Sequence, residues 1–510
     1  MEKEMKNTVE ESVDWISDLP DAILQYILSK LTFKTAVRTS ILSSKWRDHW
    51  TLIPKLDFDD TIWASIPSKY SKDDIRAPPK RDEFAGIVDR FLRGYKGRKI
   101  QRFCLYFPPV EGYHSQIMEW LKVAKAKGVK EVDLDFKMEP ATRFDLPSFI
   151  MECESISVMK LKYCNLKLPL GFRALHSLKN LYLREVDITD DMVEILLLER
   201  SLLESLSLIK CNQLVQLKVT SPGPHFKTLA VVDNENLNSF EINAPNLQTL
   251  QFSGQAIDFF FKNISGLQDA LLYMAGGQLD DESEDAPFDP KVLMSCFSHV
   301  EILSVSASLI EALWTVSLFS LPFATRFYNL KELHVPLDVM SDLDLATLTC
   351  FLGVCPYLEK LFIEVGAHNV GSEYTDEIRL PRDWYRYSFK LFNCRLYHLK
   401  TVKITGFVGQ TILMKLVKYL MANAVALRSL ILVACWDYED DMIIDNVLWD
   451  LELRPVPAGK PLMYIGRVLS LHYRNSSGPK IQVVRYSEDC DSENPTYTED
   501  YRFNHLNKSR

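Results

Sequence analysis

From Ile100 onward one short pattern recurs. An apolar residue is followed by two variable positions, a second apolar residue, one variable position and a third apolar residue. Clear copies begin at Ile100, Val129, Ile156, Leu178, Leu203, Phe226, Leu247, Val300, Leu330, Leu358, Leu399 and Leu427, with a weaker copy at Leu267. Alternation inside each copy suits a short strand with one face buried. Most copies start 20 to 33 residues apart, which leaves room for a strand and a return path. Several return paths carry apolar residues at helical spacing: Ile117, Trp120, Leu121 and Ala124; Val193, Leu196 and Leu197; Leu348, Phe351, Leu352 and Cys355; Leu413, Leu416, Val417 and Leu420. A strand–helix–strand unit at a recurring period predicts a solenoid with a parallel sheet.

The pattern resembles the core of a leucine-rich repeat. Two extra apolar triplets, at Leu214 and Leu237, split the intervals before Phe226 and Leu247. About ten residues cannot hold a strand, a helix and two turns, so these triplets are expected to be return strands on the convex side. Cys164, Cys211 and Cys435 each lie three residues after the last apolar position of a strand. A thiol there can satisfy backbone groups of the turn, so a structural role is expected rather than reactivity.

The segment Asp14 to Leu56 has a different character. Asp18 is a candidate N-cap ahead of Leu19-Pro20-Asp21, and Ile23, Leu24, Ile27, Leu28 and Leu31 follow at helical spacing. A second short helix fits Lys34 to Thr39 with Val37 inward. A third is expected after Ser43 or Ser44, with Trp46 and Trp50 on one face. Three short helices have little interior, and this segment holds more large apolar residues than such a bundle can cover. Some must pack on the rest of the chain or on a second protein.

Read in order, Asp14-Trp15-Ile16-Ser17-Asp18-Leu19-Pro20-Asp21, then Ile27 to Leu31, Ala36 to Ser43 and Trp46 to Trp50, resemble an F-box of the plant type. Thr32 and Ser44 depart from the usual residues without removing an apolar anchor. The resemblance implies docking onto the Skp-type adaptor of a Skp–cullin–F-box ubiquitin ligase. Carried over by position, the implied contacts are Leu19, Pro20, Leu24, Ile27, Leu28, Val37, Leu42 and Trp46. Trp50 and Leu52 are instead expected to face the repeats. A second resemblance covers Cys394, Leu399 to Ile404, Gly406-Phe407, Gly409 and the run into Leu427. These residues are similar to the FBD region of plant F-box/leucine-rich-repeat proteins, and are expected to end the solenoid.

The expected layout is a disordered 1–13, the F-box at 14–56, a Pro-containing linker at 57–82, the solenoid at 83–385, the FBD region at 386–470, and a C-terminal strand and polar tail at 471–510. An amphipathic helix is expected around Phe84 to Leu92, and two further strands at Ile465–His472 and Ile481–Tyr486. The fold class is therefore α/β, a small three-helix F-box followed by a solenoid with its parallel sheet on the concave face. Two long insertions, the acidic run Asp280–Asp285 and the stretch with Trp384, Tyr385, Tyr387 and Phe389, are candidate loops.

Charge limits the partners. The net charge of -9 lacks the basic excess of a general nucleic-acid binder. No apolar run reaches membrane-spanning length; the best, Ala312 to Ala324, contains Pro322. Ten scattered cysteines form no CxxC pair, so no metal or cofactor is implied, and reduced thiols in the nucleus or cytoplasm are expected. No nucleophile–base constellation is legible. The resemblance implies a non-catalytic subunit that binds the Skp-type adaptor and its cullin scaffold, and recruits a target protein through the repeats. A ligand-dependent receptor of the same kind and a non-ligase scaffold are the alternatives.

Overall fold

The structure is a computed structural model describing residues 19–42, 46–66, 78–108, 111–137, 143–167, 176–197, 202–220, 222–274, 289–310, 312, 326–337, 340–366, 394–409, 411–434, 463–472, 479–485 and 494–496. The acidic run, the aromatic loop around Trp384, Asp18, Ser43, Ser44, Cys435 and the expected disorder of 1–13 lie outside the described residues. The chain divides into two compact units, Met1–Gln213 and Leu214–Arg510.

In the first unit, α1 (Asp21–Lys30) starts directly after Pro20, which is its N-cap. The Pro20 carbonyl accepts from the N–H groups of Ile23 at 2.9 Å and Leu24 at 3.1 Å. Proline was expected inside the first turn; its fixed φ serves the extended cap instead. Helix α2 (Phe33–Arg38) begins one residue earlier than expected, because Thr32 caps it with a 3.4 Å bond from the Thr35 N–H. That shift turns Phe33 and Ala36 inward and leaves Val37 only half-buried. The third element is a 3-10 run, Trp46–Leu52, rather than an α-helix. Leu24, Leu28, Ala36, Trp46 and Ile53 form the core of this bundle, with Leu19, Ile27 and Trp50 at its edge.

The described parts of the expected linker, 57–66 and 78–82, are structured. Strand β1 (Lys55–Phe58) opens the parallel sheet, α3 (Asp60–Ser65) buries Ile62 and Trp63, and α4 (Pro78–Gly94) starts at a proline. Asp59 caps α3, accepting from the N–H groups of Thr61 at 3.1 Å and Ile62 at 3.3 Å. Pro78 and Pro79, expected as breakers, mark a helix start, where a missing N–H costs nothing. Phe33, Phe58, Phe91 and Trp50 form one aromatic seam, with ring centroids at 5.1 Å (Phe33–Phe58), 4.7 Å (Phe33–Phe91) and 4.7 Å (Trp50–Phe91). Part of the apolar excess of the N-terminal segment is therefore spent on the first strand and on α4. Trp50 faces the repeats as expected, whereas Leu52 is exposed.

The sheet continues through β2 (Arg102–Tyr106), β3 (Glu131–Asp135), β5 (Val158–Lys162), β7 (Asn180–Arg184) and β8 (Ser205–Ile209), all parallel. A two-stranded ladder pairs β4 (Phe144–Asp145) with β6 (Cys164–Asn165). Helices α5 (His114–Ala126), α6 (Ser148–Met151) and α7 (Asp190–Leu196) return the chain. The row Phe103, Val132, Met159, Leu181 and Leu206 lies in register and fully buried. Each such side chain contributes roughly 1.5–3 kcal/mol. On the other face, Asp57, Cys104, Asp133, Tyr182 and Ser207 stay partly exposed and Lys160 exposed. Alternation is thus as the sequence predicts.

The second unit holds β9 (Gln216–Thr220), β10 (Thr228–Val232), β11 (Ser239–Asn243), β12 (Thr249–Gly254), β13 (Asp258–Lys262), β14 (Asp269–Met274), β15 (Ile302–Val305), β16 (Glu332–Leu337), β17 (Lys360–Val365), β18 (Thr401–Phe407), β19 (Ser429–Ala434) and β20 (Lys480–Arg485). Strands β10, β12 and β14 to β20 form one parallel ladder in that order. Strands β9, β11 and β13 form a second parallel sheet. The two extra triplets are therefore return strands, as their short intervals required. The third return strand, β13, was not anticipated. Helices α8 (Pro290–Cys296), α9 (Asp342–Leu352), α10 (Thr411–Asn423) and α11 (Met463–His472) complete the unit.

Ser341 and Asp344 form a reciprocal capping box at α9. The Asp344 N–H donates to Ser341 Oγ at 3.1 Å, and the Ser341 N–H to Asp344 Oδ2 at 2.7 Å. Ser341→Ala is expected to lower stability by about 1 kcal/mol, read from denaturant unfolding. Residues 465–472, expected as a strand, belong to α11 because Ile465, Val468 and Leu469 follow a three–four spacing that buries Val468 and Leu469. The FBD region does not end the ladder either: β19 pairs in parallel with β20.

A recurring turn explains the cysteine positions. The residues directly after five strands, Tyr163, Glu185, Lys210, Asp233 and Asn263, have φ between 47° and 58°. This left-handed residue turns the chain, and the side chain that follows is buried: Cys164, Val186, Cys211, Asn234 and Ile264.

Candidate functional site

The expected contact residues of the N-terminal bundle separate into two sets. Leu24, Leu28 and Trp46 are buried in its core, and Leu19, Ile27 and Val37 are half-buried. Pro20 and Leu42 are exposed. The surface that remains open is formed by Ile23 (44% exposed), Tyr26 (64%), Ile41 (85%) and Leu42 (62%). Ile23, Tyr26 and Ile41 were not among the expected contacts. For Ile23 a signal exists in the sequence, since Ile23-Leu24 is an adjacent apolar pair with Leu24 buried. One helix face needs only one member of such a pair, so the other faces elsewhere; Tyr26 and Ile41 carry no such signal. Lys30 lies 5.2 Å over the Tyr26 ring and adds a cation at the rim of this surface.

Ile23, Tyr26, Ile41 and Leu42 expose large apolar side chains on a small helical bundle whose core is formed by Leu24, Leu28, Ala36, Trp46 and Ile53. Exposed apolar side chains of this size are suited to a protein partner. The bundle lies within the stretch that matches a known domain. Residues 16–57 match the F-box domain, and residues 92–446 match the family described as At1g61320/AtMIF1, LRR domain. The chain belongs to the F-box/leucine-rich-repeat proteins of the At1g61320/AtMIF1 type. Similar proteins from Arabidopsis thaliana span nearly its whole length. F-box/LRR-repeat protein 13 is 28% identical over 469 residues, covering 88% of this chain and 96% of that protein. FBD-associated F-box protein At1g66310 is 28% identical, covering 82% of this chain and 90% of its own length. Putative F-box/FBD/LRR-repeat protein At1g66300 is likewise 28% identical, with 82% and 87% covered.

Within this F-box/leucine-rich-repeat protein the two ladders present different outward faces. The first unit carries a charged network: Arg102 lies 3.1 Å from Asp57 and 3.7 Å from Asp133, and Lys162 lies 3.3 Å from Asp135. In the second unit the outward residues Ser304, His334, Phe362, Lys403 and Ile431 are all buried. Alternation with one face exposed therefore fails from β15 to β19, where both faces are covered.

A serine, a histidine and a carboxylate do meet there, contrary to the sequence reading. Ser304 Oγ lies 2.9 Å from His334 Nδ1, and His334 Nε2 lies 3.7 Å from Glu364 Oε2. All three sit on adjacent paired strands, and the Ser304 hydroxyl is buried, so the trio forms a polar row across the ladder.

The thiols fit structural roles. Burial pushes the Cys211 thiol up to about 11, and its Sγ donates to the Leu183 carbonyl at 3.8 Å and the Ile209 carbonyl at 3.6 Å. Burial and the nearby Asp133 and Asp57 carboxylates push Cys104 up to about 12. A thiol near 11 is about two hundred-fold less ionised at pH 8 than an ordinary one near 8.5. Iodoacetamide at pH 8 is therefore expected to leave Cys211 and Cys104 unmodified in the folded chain and to label both in denaturant, as read by peptide mass mapping. Among the described residues, no group of His, Cys, Asp and Glu is arranged to hold a metal ion, and no helix is long and apolar enough to cross a membrane.

Proposed function

We propose that this chain is the target-recruiting subunit of a Skp–cullin–F-box ubiquitin ligase. The exposed apolar residues Ile23, Tyr26, Ile41 and Leu42 within the F-box support this reading most strongly. They dock the Skp-type adaptor, together with Pro20, Leu19, Ile27 and Val37. Leu24, Leu28 and Trp46 support the face from beneath rather than touching the adaptor. The repeats hold a target protein. The chain performs no covalent step: it keeps target lysines close to the ubiquitin-charged conjugating enzyme and so raises their effective concentration. Burying four large apolar side chains at roughly 1.5–3 kcal/mol each is ample for a stable complex. The test is size-exclusion chromatography of the purified chain with a Skp-type adaptor. The two are expected to co-elute, and to separate when residues 19–42 are replaced by a Gly/Ser stretch of equal length. Separate elution of the intact, folded chain sinks the reading.

A further inference from the structure

Part of the covered outward face of the second unit is held by the chain's own C-terminal residues. Glu332 on β16 and Lys403 on β18 point to that face and are only 8% and 1% exposed. Carboxylates and ammonium groups are rarely buried so deeply without partners. The C-terminal residues Asn494, Pro495 and Thr496 reach both. Lys403 Nζ donates to Asn494 Oδ1 at 2.7 Å. The Thr496 N–H and hydroxyl both donate to Glu332 Oε1, each at 2.8 Å. Pro495, between them, is buried, while Asn494 and Thr496 keep exposed surface.

This is a side-chain-specific grip on a tripeptide. β17 lies between β16 and β18, so the segment crosses about two strand spacings, ~10 Å. Asn494 and Thr496 are about 7 Å apart when extended. The long Lys403 and Glu332 side chains supply the remainder. Each position is read by different chemistry. An amide carbonyl faces the ammonium, a proline lacking an N–H lies buried between the two contacts, and a hydroxyl with its own N–H meets the carboxylate. Bonds to charged groups are roughly twice as strong as neutral ones. The contact joins residues far apart in sequence, and on the sheet it uses only the Lys403 and Glu332 side chains, so it takes none of the ladder's own backbone groups.

We propose that the sheet face at Glu332 and Lys403 is a recognition site for an Asn-Pro-Thr segment of a partner protein, and that Asn494–Thr496 occupies it in cis as a displaceable strap. The proposal deepens the target-binding reading above, on which it rests, by giving the bound segment a chemistry. Occupation in cis sets a threshold, because a tethered segment competes at an effective concentration near millimolar. Only a partner that presents more contacts than the strap displaces it.

The test uses a fluorescent peptide with the sequence of residues 488–502 and three forms of the chain: intact, ending at residue 486, and intact with Asn494→Ala and Thr496→Val. Binding is read by anisotropy. The two forms with an emptied site are expected to bind the peptide at least tenfold more tightly than the intact chain. A peptide carrying the same two substitutions is expected to lose at least tenfold. The substituted peptide leaves the chain untouched, so a folding defect cannot imitate that result, and the doubly substituted chain guards against misfolding of the shortened one. Equal binding of both peptides, equal binding by intact and emptied chains, or no binding to either emptied form overturns the proposal. No adaptor is present, so the outcome is independent of whether the F-box binds one.

Discussion

Replacing Ile41 and Leu42 together by Asp is expected to abolish capture of the Skp-type adaptor while leaving the thermal unfolding of the chain nearly unchanged. Both residues are largely solvent-exposed and belong to no described core cluster. Surface substitutions of this kind usually change stability by less than about 0.5 kcal/mol. At a docked interface the same change removes two apolar side chains and strands two carboxylates. The loss is roughly 3–6 kcal/mol, a weakening of about 10²–10⁴-fold. Trp46→Ala is expected to do the reverse. Its side chain is packed with Leu24, Leu28, Ala36 and Ile53, so it costs about 3–5 kcal/mol of stability and reduces capture only as far as the bundle unfolds. Titration calorimetry beside differential scanning calorimetry separates the two. Ile41 and Leu42 variants that bind normally would remove this face from the adaptor interface.

Gly406→Ala is expected to destabilise the second unit by more than about 3 kcal/mol, a cost on the scale of a disrupted core. Gly406 has φ of 80°, a left-handed conformation, and a Cβ added there would sit 2.1 Å from the Val365 carbonyl oxygen. Both the conformation and the overlap with fixed backbone act against any side chain. The glycine forms a bulge where β18 slips in register against β19 between Thr405 and Phe407. The slip delivers Phe407 to the core, where it is fully buried. This gives the Gly-Phe pair of the FBD-like region a structural reason. The readout is the midpoint of denaturant unfolding; a change below 1 kcal/mol would show that the strands relax around the bulge.

Strand positions were legible because each repeat states its period twice, in the apolar triplet and in the interval to the next. Every triplet from Ile100 to Leu427 supplies a strand. Boundaries at either end were less legible. β1 carries only Leu56 and Phe58 as its buried pair, and these had been read as the tail of the F-box. Ile62-Trp63 and Pro78 gave too little pattern to outweigh the surrounding polar residues. At the C-terminus, Ile465 to His472 is apolar enough for either period, and only packing against β20 decides for a helix.

The site was legible by position rather than by orientation. The F-box residues were found, but a motif does not say which member of an adjacent apolar pair faces inward. Thr32 decides this for α2 by starting the helix at Phe33, which turns Ala36 rather than Val37 into the core. The covered face of β15 to β19 had a faint signal in the continuous apolar runs at Leu361-Phe362-Ile363 and Leu430 to Ala434. Such runs mark strands buried on both sides. Contact between Thr496 and Glu332 had none, since no periodicity links residues so far apart in the chain.

The central claim is that the open face of the F-box bundle, and not the sheet, receives the adaptor. Hydrogen exchange of the intact chain, with and without a saturating Skp-type adaptor, addresses it directly. Slower exchange is expected within residues 19–42, with exchange across β15 to β19 unchanged. Protection that falls on those strands instead, or a folded chain that gains none within 19–42, would contradict the account.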